Sequence, residues 1–112
     1  MHTIKRTDKG ADITNTRGDS LYLEITLTKD GLPYIPEAGS QIRFAMKEKY
    51  TDTNTVLEIP VPLATMILHI EPEDTKPLPM GKTYVYDIEL TTETGDVVTF
   101  YEGKFLVDKE VE

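Results

Sequence analysis

Apolar and polar residues alternate at a period of two along most of this chain of 112 residues. The alternation is strict over residues 21–28, and over 83–92 one face carries Tyr84, Tyr86, Ile88 and Leu90. Because successive side chains of a β-strand point to opposite faces of its sheet, this period predicts strands with one buried face. Thr, Val, Ile and Tyr are also abundant, as is typical of strands, and we therefore expect an all-β fold.

Turn signals separate the alternating segments into about seven short strands, a pattern typical of a β-sandwich or a barrel. These strands are expected at 11–16, 21–28, 41–47, 56–59, 65–70, 83–92 and 97–107. Alternation directs Ala45 outward and places the following residues on inward faces: Leu21, Leu23, Ile25, Leu27, Ile42, Phe44, Met46, Met66, Leu68 and Ile70. Asp30-Gly31 and the run at 93–96 each predict a tight reversal, since Gly and Asp tolerate the positive φ that such turns need. The segment at 56–59 is restricted to the edge of a sheet because Pro60, which follows it, lacks an amide hydrogen.

Two local irregularities are expected within this pattern. The acidic run that begins at Glu71 predicts one helical turn near residues 72–78, since carboxylates stabilise the first turn of a helix and Pro77 limits its extension. Gly103 predicts a β-bulge in the final strand, over 97–107.

We predict an immunoglobulin-like β-sandwich of about seven antiparallel strands. Residues 1–10 are expected to be a flexible N-terminus, and residues 11–112 are expected to form a single domain. A chain of this length buries enough surface to fold without stabilisation by a bound metal or a disulfide bond. The absence of cysteine excludes disulfides altogether.

The chain carries 20 acidic and 12 basic residues, and its net charge of -8 arises entirely within residues 57–112. Proteins that bind nucleic acid need Lys and Arg to displace counterions from phosphates, so nucleic-acid binding is not expected. Anionic membrane surfaces are disfavoured for the same reason, and no apolar run reaches the roughly 18 residues that span a bilayer. The N-terminus has no apolar stretch of signal-peptide length, so we expect no signal peptide.

The sequence has few side chains that could carry out catalysis: it contains two histidines, no cysteine and no tryptophan. His69 alternates to the solvent face of its strand, and the sequence has no phosphate-binding loop and no serine elbow, so we expect no catalytic residue and no cofactor. The carboxylates of Glu71, Glu73 and Asp74 could coordinate calcium. Their spacing matches no calcium loop, because Pro72 interrupts the run, and helix capping is favoured over a metal site. Thermal melts with calcium and with chelator distinguish the two interpretations.

Arg17-Gly18-Asp19 matches the tripeptide that integrins recognise. A match of three residues arises easily by chance, and Gly-Asp is also common in ordinary turns. We therefore expect a structural turn at this position rather than an adhesion site.

Four tyrosines are predicted to be exposed and are candidates for protein interaction: Tyr22, Tyr34, Tyr50 and Tyr101. Tyrosine is enriched in interfaces because it offers a large contact area at a low cost in side-chain entropy. Alternation alone does not place the four side chains on one patch.

Two carboxylates of the long strand, Asp87 and Glu89, complete the set of candidate interaction residues. Alternation directs both outward, where Arg43 and Lys47 are expected to face them across a strand pair. Such pairs contribute from a few tenths of a kcal/mol to about 1 kcal/mol. A solvated mixed-charge face is the plainer interpretation, and we favour it over a binding surface.

Short motifs follow one another in a defined order along residues 11–112. They are Arg17-Gly18-Asp19-Ser20, Asp30-Gly31-x-Pro33-Tyr34, Ile70-x-Pro72-Glu73-Asp74-Thr75-Lys76-x-Leu78, Gly81-x-x-Tyr84-x-Tyr86-Asp87-Ile88-x-Leu90, Gly95-Asp96-Val97-x-Thr99 and Gly103-x-Phe105-x-Val107. In order and spacing they resemble the small immunoglobulin-like domains encoded among the tail and baseplate genes of phages and prophages of Gram-positive bacteria. The chain is most similar to the N-terminal domain of baseplate upper proteins.

The resemblance implies a non-enzymatic structural module of a virion, made in the bacterial cytoplasm and located in the tail or baseplate. Its expected partners are other tail and baseplate proteins, and a homo-oligomer is left open. The alternative is a bacterial surface or carbohydrate-binding sandwich, in which solvent-facing aromatic side chains line a groove on one sheet. The acidic excess, expected on one sheet face or rim, predicts partners that present Lys and Arg and binding that weakens with salt.

Overall fold

The computed structural model describes residues 2–4 and 12–108. Most of these residues lie in β-strands, which confirms the all-β prediction. The described elements are, in chain order, β1 (His2–Ile4), β2 (Ile13–Thr16), β3 (Leu21–Ile25), β4 (Thr28–Lys29), β5 (Leu32–Pro33), β6 (Gln41–Lys47), β7 (Leu57–Val61), β8 (Ile67–Ile70), α1 (Pro72–Thr75), β9 (Lys82–Thr91) and β10 (Val97–Asp108).

The strands form two larger sheets and one small ladder. The five-stranded sheet has the order β2-β10-β9-β6-β7, the three-stranded sheet has the order β1-β3-β8, and β4 pairs with β5. Each of the seven predicted strands has a counterpart, while the additional β1, β4 and β5 are two or three residues long. As expected, the proline-containing β7 lies at an edge, although it continues through Pro60 to Val61.

Two strand pairs among the described residues are parallel, whereas the sequence predicted antiparallel strands throughout. β1 runs parallel to β3, and β2 runs parallel to β10. Side chains alternate in the same way in both kinds of pair, so a period of two carries no information about strand direction.

At the N-terminus the sequence predicts a flexible segment over 1–10, of which the structure describes only His2–Ile4. These residues lie beside β3, with Ile4 opposite Ile25. The predicted first long strand begins at Ala11, which lies outside the described residues, and β2 begins at Ile13.

The inward side chains of both larger sheets share one hydrophobic core. The ring of Phe44 lies 5.5 Å from that of Tyr86 and 6.0 Å from that of Phe105, measured between centroids. Burying one such side chain stabilises the fold by about 1.5–3 kcal/mol. The faces predicted to be buried in β3, β6 and β9 are buried: Leu21, Leu23, Ile25, Ile42, Phe44, Met46, Tyr84, Tyr86, Ile88 and Leu90.

Two positions before the last strand depart from the predicted pattern. Ala45, predicted to face outward, is buried, because the longer side chains of Asp87 and Glu58 flank its methyl group on the neighbouring strands. Met66, predicted to belong to a strand, has a positive φ of 54° and lies just before β8, which begins at Ile67.

The last strand contains a β-bulge, but the prediction that places it at Gly103 is wrong. Gly103 pairs in register with β9, and the register shifts instead between Thr99 and Tyr101. The intervening Phe100 packs its ring 5.3 Å from the ring of Tyr34. A shift of one residue turns the following side chain to the opposite face of the sheet. Tyr101 therefore enters the core, where it is 2% exposed, and the prediction of an exposed side chain is wrong.

The helical turn α1 forms where it was predicted and anchors the turn at 17–19. Thr75 is fully buried, and its hydroxyl accepts a hydrogen bond of 2.8 Å from the Gly18 amide. The guanidinium of Arg17 donates to the carbonyl of Leu78 at 3.3 Å. These bonds give the tripeptide a structural role as a turn.

We expect Thr75→Val to destabilise the protein by about 1–3 kcal/mol, because the substitution keeps the side-chain shape but leaves the Gly18 amide without an acceptor. Urea unfolding followed by circular dichroism measures the change. Thr83→Val, at an exposed position of β9, is the control and should stay within about 0.5 kcal/mol of the wild type. Equal effects of the two substitutions would contradict the anchoring role of Thr75.

The Tyr101 hydroxyl donates a hydrogen bond to the carbonyl of Thr26, which follows β3 in the other sheet. Tyr101→Phe removes this bond between the sheets without opening a cavity, and we expect it to lower the free energy of unfolding by about 0.5–1.5 kcal/mol. Chemical denaturation compares it with Tyr22→Phe, which removes an exposed hydroxyl and should have little effect. A Tyr101→Phe protein as stable as the wild type would show that the bond contributes nothing.

Candidate functional site

The structure divides the six candidate interaction residues among separate regions. Tyr101 lies in the core, Tyr34 is half-buried after β5, and Tyr22 lies on the outer face of the three-stranded sheet. The other three come together on the outer face of the five-stranded sheet: Tyr50, Asp87 and Glu89. That face is the candidate functional site.

One ion-paired row crosses this face from β7 to β9. Arg43 lies opposite Glu89 in the strand register. Its guanidinium donates to Glu89 and, at 3.0 Å, to Oε1 of Glu58 on β7. The hydrogen bond to Glu58, and then the one to Glu89, raise the pKa of Arg43 above its ordinary value. The predicted pairing of Arg43 is thus confirmed, whereas Lys47 lies opposite Val85.

Asp87 sits in a less favourable environment on the same strand. Its neighbours in register are Ala45 on β6 and Glu102 on β10. Its Oδ1 atom is buried and has no hydrogen-bond partner among the described residues. Burial raises the pKa of Asp87, and the charges of Glu89 and Glu102 raise it further, while Arg43 and Lys47 lower it. Like charges placed directly opposite each other on neighbouring strands destabilise a sheet.

Tyr50 comes from the loop after β6 and reaches over to β10. Its side chain is 51% exposed, and its hydroxyl donates a hydrogen bond of 3.1 Å to the carbonyl of Gly103. Burial around the hydroxyl raises the pKa of Tyr50, and the charges of Glu102 and Asp87 raise it further. An exposed aromatic ring therefore lies beside two carboxylates.

The Tyr50 surface is the name used below for five residues of this face: Arg43, Tyr50, Asp87, Glu89 and Glu102. Glu102 was not among the predicted residues, and it points outward because of the same bulge that turns Tyr101 into the core. Its position beside Asp87 depends on the bulge, which sets the register between β9 and β10. An aromatic ring next to carboxylates suits the Lys and Arg side chains of a partner protein, which can form charge-assisted hydrogen bonds and cation–π contacts.

The second exposed aromatic position lies on the opposite side of the protein. Tyr22 on β3 is 44% exposed and is paired across the strands with His69 on β8. The two rings stack with centroids 4.1 Å apart and planes inclined by 9°. Each ring therefore covers one face of the other.

The carboxylates around α1 act as a helix cap. Oδ2 of Asp74 accepts a hydrogen bond of 2.8 Å from the amide of Glu71. Within the part of the chain that the structure describes, no three acidic or histidine side chains come together in a way that could hold a metal ion. The contact between Asp74 and Glu71 supports the capping interpretation.

Comparison with known proteins gives no match to a family model, to a curated protein or to a solved structure. Across the described residues there is no helix of the length and apolarity needed to cross a membrane.

The pH dependence of stability provides a test of the environment of Asp87. Because burial raises its pKa in the folded protein above the ordinary 3.8, the folded state holds this proton more tightly than the unfolded state. The stability of the wild type relative to Asp87→Asn should be greatest below the ordinary pKa and should fall as the pH rises through the raised value. Urea unfolding of both proteins at a series of pH values measures this difference. An advantage of the wild type that grows with pH would contradict the buried environment.

Proposed function

We propose that this chain is a non-enzymatic assembly module of a phage or prophage tail or baseplate, with an immunoglobulin-like sandwich fold. The observation that carries the proposal is the combination of the motif order in the sequence with the strand order in the two sheets. In this role the domain docks onto other virion proteins.

The strand order supports the fold named in this proposal. Immunoglobulin domains of the variable type hold strands G, F, C and C′ side by side in one sheet, and strands A, B and E, with D at the edge, in the other. The order β10-β9-β6-β7 corresponds to the first set, and β1-β3-β8 corresponds to A, B and E. The position of D, beyond β8, is not filled by any strand of the described residues.

The packing of the motifs supports the resemblance in a second way. Two of the motifs that carry it lie far apart in the sequence, yet the Gly18 amide of one is bonded to the Thr75 hydroxyl of the other. A third motif, which contains Tyr84 and Tyr86, forms the buried face of the central strand β9. Motifs that are distant in the sequence therefore contact one another in the fold.

The Tyr50 surface supports docking to a basic partner. It has three carboxylates and one guanidinium, and the chain as a whole has a net charge of -8. A partner that presents Lys or Arg beside Asp87 and Glu102 would offset the repulsion between these two carboxylates. Complementary charge of this kind mainly determines specificity and the rate of association, and salt weakens it.

The distribution of exposed aromatic side chains favours protein docking over the carbohydrate-binding alternative. A sugar site of that kind requires several solvent-facing aromatic rings along one groove. Tyr22 and Tyr50 instead lie on the outer faces of different sheets, and one face of the Tyr22 ring is covered by His69.

The proposal predicts a complex with one of the proteins encoded beside this gene. Co-expression, size-exclusion chromatography and titration calorimetry should reveal that complex, and its affinity should fall by about tenfold or more in Glu102→Lys and also with added salt. Asp30→Lys makes the same change of charge at a turn outside the Tyr50 surface and should alter the affinity less than about threefold.

Three results would count against the proposal. The first is a monomeric protein with no affinity for any neighbouring gene product. The second is equal weakening of a complex by Glu102→Lys and Asp30→Lys, which would remove the Tyr50 surface from the interface. The third is a gene neighbourhood of sortase or polysaccharide genes in place of tail or holin genes.

A further inference from the structure

Strand β8 ends the hydrogen-bonded ladder of the three-stranded sheet, and β7 packs near it without pairing with it. The side of β8 that has no hydrogen-bonded neighbour among the described residues is called the open edge below. β8 pairs with β3 on one side, in a register that places Tyr22 opposite His69 and Leu23 opposite Leu68. On its other side, no strand of the described residues pairs with it.

The hydrogen-bond pattern identifies the backbone groups at this edge. The amide of Ile25 donates to the carbonyl of Met66 at 2.8 Å, just beyond the end of β8. Because hydrogen-bonded and non-hydrogen-bonded pairs alternate in an antiparallel ladder, Leu68 and Ile70 direct their backbone groups toward β3 and His69 directs its own away from β3. The Tyr22–His69 stack at 4.1 Å agrees with this assignment, since side chains approach each other most closely at non-hydrogen-bonded pairs.

His69 is therefore the centre of the open edge. The amide of Ile67 also points toward this side, but it donates to Oγ1 of its neighbour Thr65 at 3.4 Å. The amide and carbonyl of His69, together with the carbonyl of Ile67, remain directed outward. An added strand needs an outward amide as a hydrogen-bond donor and outward carbonyls as acceptors, and the edge of β8 provides both.

Although β8 is only four residues long, it lacks two devices that protect the edge of the five-stranded sheet. β7, at the edge of the five-stranded sheet, contains Pro60, which has no amide to offer, and the charged Glu58. Proline and lysine on an edge strand are common barriers to unwanted pairing. β8 contains neither, and the sequence has no Lys or Arg between Lys49 and Lys76.

We propose that the open edge of β8 receives an extended segment of a partner protein as an additional strand, and that this segment carries Lys or Arg at alternate positions. Such strand addition derives its affinity from main-chain hydrogen bonds and its specificity from alternate side chains. The residues of the segment that flank Leu68 face the core side and are apolar. Those that flank His69 face outward and are basic.

Charge complementarity selects a basic segment as the occupant. Three exposed carboxylates surround the edge: Glu24, opposite Ile67 on the outer face, and Glu71 and Glu73, which follow β8 in the chain. A second copy of this chain would bring the same carboxylates and a net charge of -8 to the contact. Repulsion between the copies disfavours pairing of β8 with itself. This docking site is distinct from the Tyr50 surface and does not depend on a role in a phage tail.

The probes for this site are two synthetic peptides of about eight residues, one alternating Lys with Val and the other alternating Glu with Val. Fluorescence anisotropy with labelled peptides measures their affinity for the folded protein. We expect the Lys–Val peptide to bind at least about tenfold more tightly than the Glu–Val peptide. Equal affinity of the two peptides, or no binding of either, would overturn the proposal.

The substitution His69→Pro removes the outward amide while leaving the ladder to β3 complete, since the amide of this residue does not take part in that ladder. It should weaken binding of the Lys–Val peptide by about tenfold or more. His69→Thr keeps the amide and removes the imidazole, and it should change the affinity less than about threefold. A loss of equal size in both variants would assign the binding to the ring rather than to the sheet edge.

Hydrogen exchange in the wild-type protein tests the same edge without a substitution. The amide of His69 should exchange freely in the free protein and become protected when the Lys–Val peptide binds, while the amide of Leu68 should be protected in both states. An amide of His69 that is already protected in the free protein would overturn the proposal. A dimer that forms at raised protein concentration and that His69→Pro abolishes would also overturn the proposal. The occupant of the edge would then be a second copy of this chain.

Glu102→Lys separates this proposal from the proposed function. The substitution lies on the other sheet and should leave binding of the Lys–Val peptide unchanged within about threefold. Failure of the peptide experiments would therefore not contradict docking at the Tyr50 surface. Failure to find a tail partner would likewise not contradict strand addition at the β8 edge.

Discussion

The burial of one face of β9 is the constraint on which the rest of the structure depends. β9 is the middle strand of the five-stranded sheet and pairs with both β10 and β6, so its register is coupled to theirs. A slip of one residue would exchange Tyr86 for Asp87 in the core and bring a carboxylate beside Phe44. Placing an unpaired charge in an apolar core costs far more than cross-strand contacts contribute, and the register is therefore strongly specified.

The same constraint creates the environment of the Tyr50 surface. Because Tyr86 and Ile88 face the core, Asp87 between them must face outward, where it meets Glu102 across the strand pair. Arg43 is ion-paired with its neighbours Glu89 and Glu58 and offsets part of this repulsion. In the proposed assembly role, the remaining unfavourable charge at Asp87 is relieved when a basic partner binds.

The two proposed docking sites belong to different sheets. The Tyr50 surface lies on the outer face of the five-stranded sheet, whereas the open edge is formed by β8 in the three-stranded sheet. Tyr101 connects the two sheets through its hydrogen bond to Thr26, and both sheets share one core. In the proposed assembly role, two separate contact sites on one domain would allow it to link neighbouring proteins.

Local patterns in the sequence were sufficient to predict the all-β fold, the buried faces of β3, β6 and β9, the edge position of β7 and the helical turn α1. Each of these depends on residues close together in the chain: side-chain alternation, missing proline amides or carboxylates at a helix start. Only the tertiary structure decided four other features: the parallel pairs, the bulge at Phe100, the burial of Tyr101 and the position of Tyr50 over β10. They depend on which strands become neighbours and in what register, and those contacts join residues that are distant in the sequence.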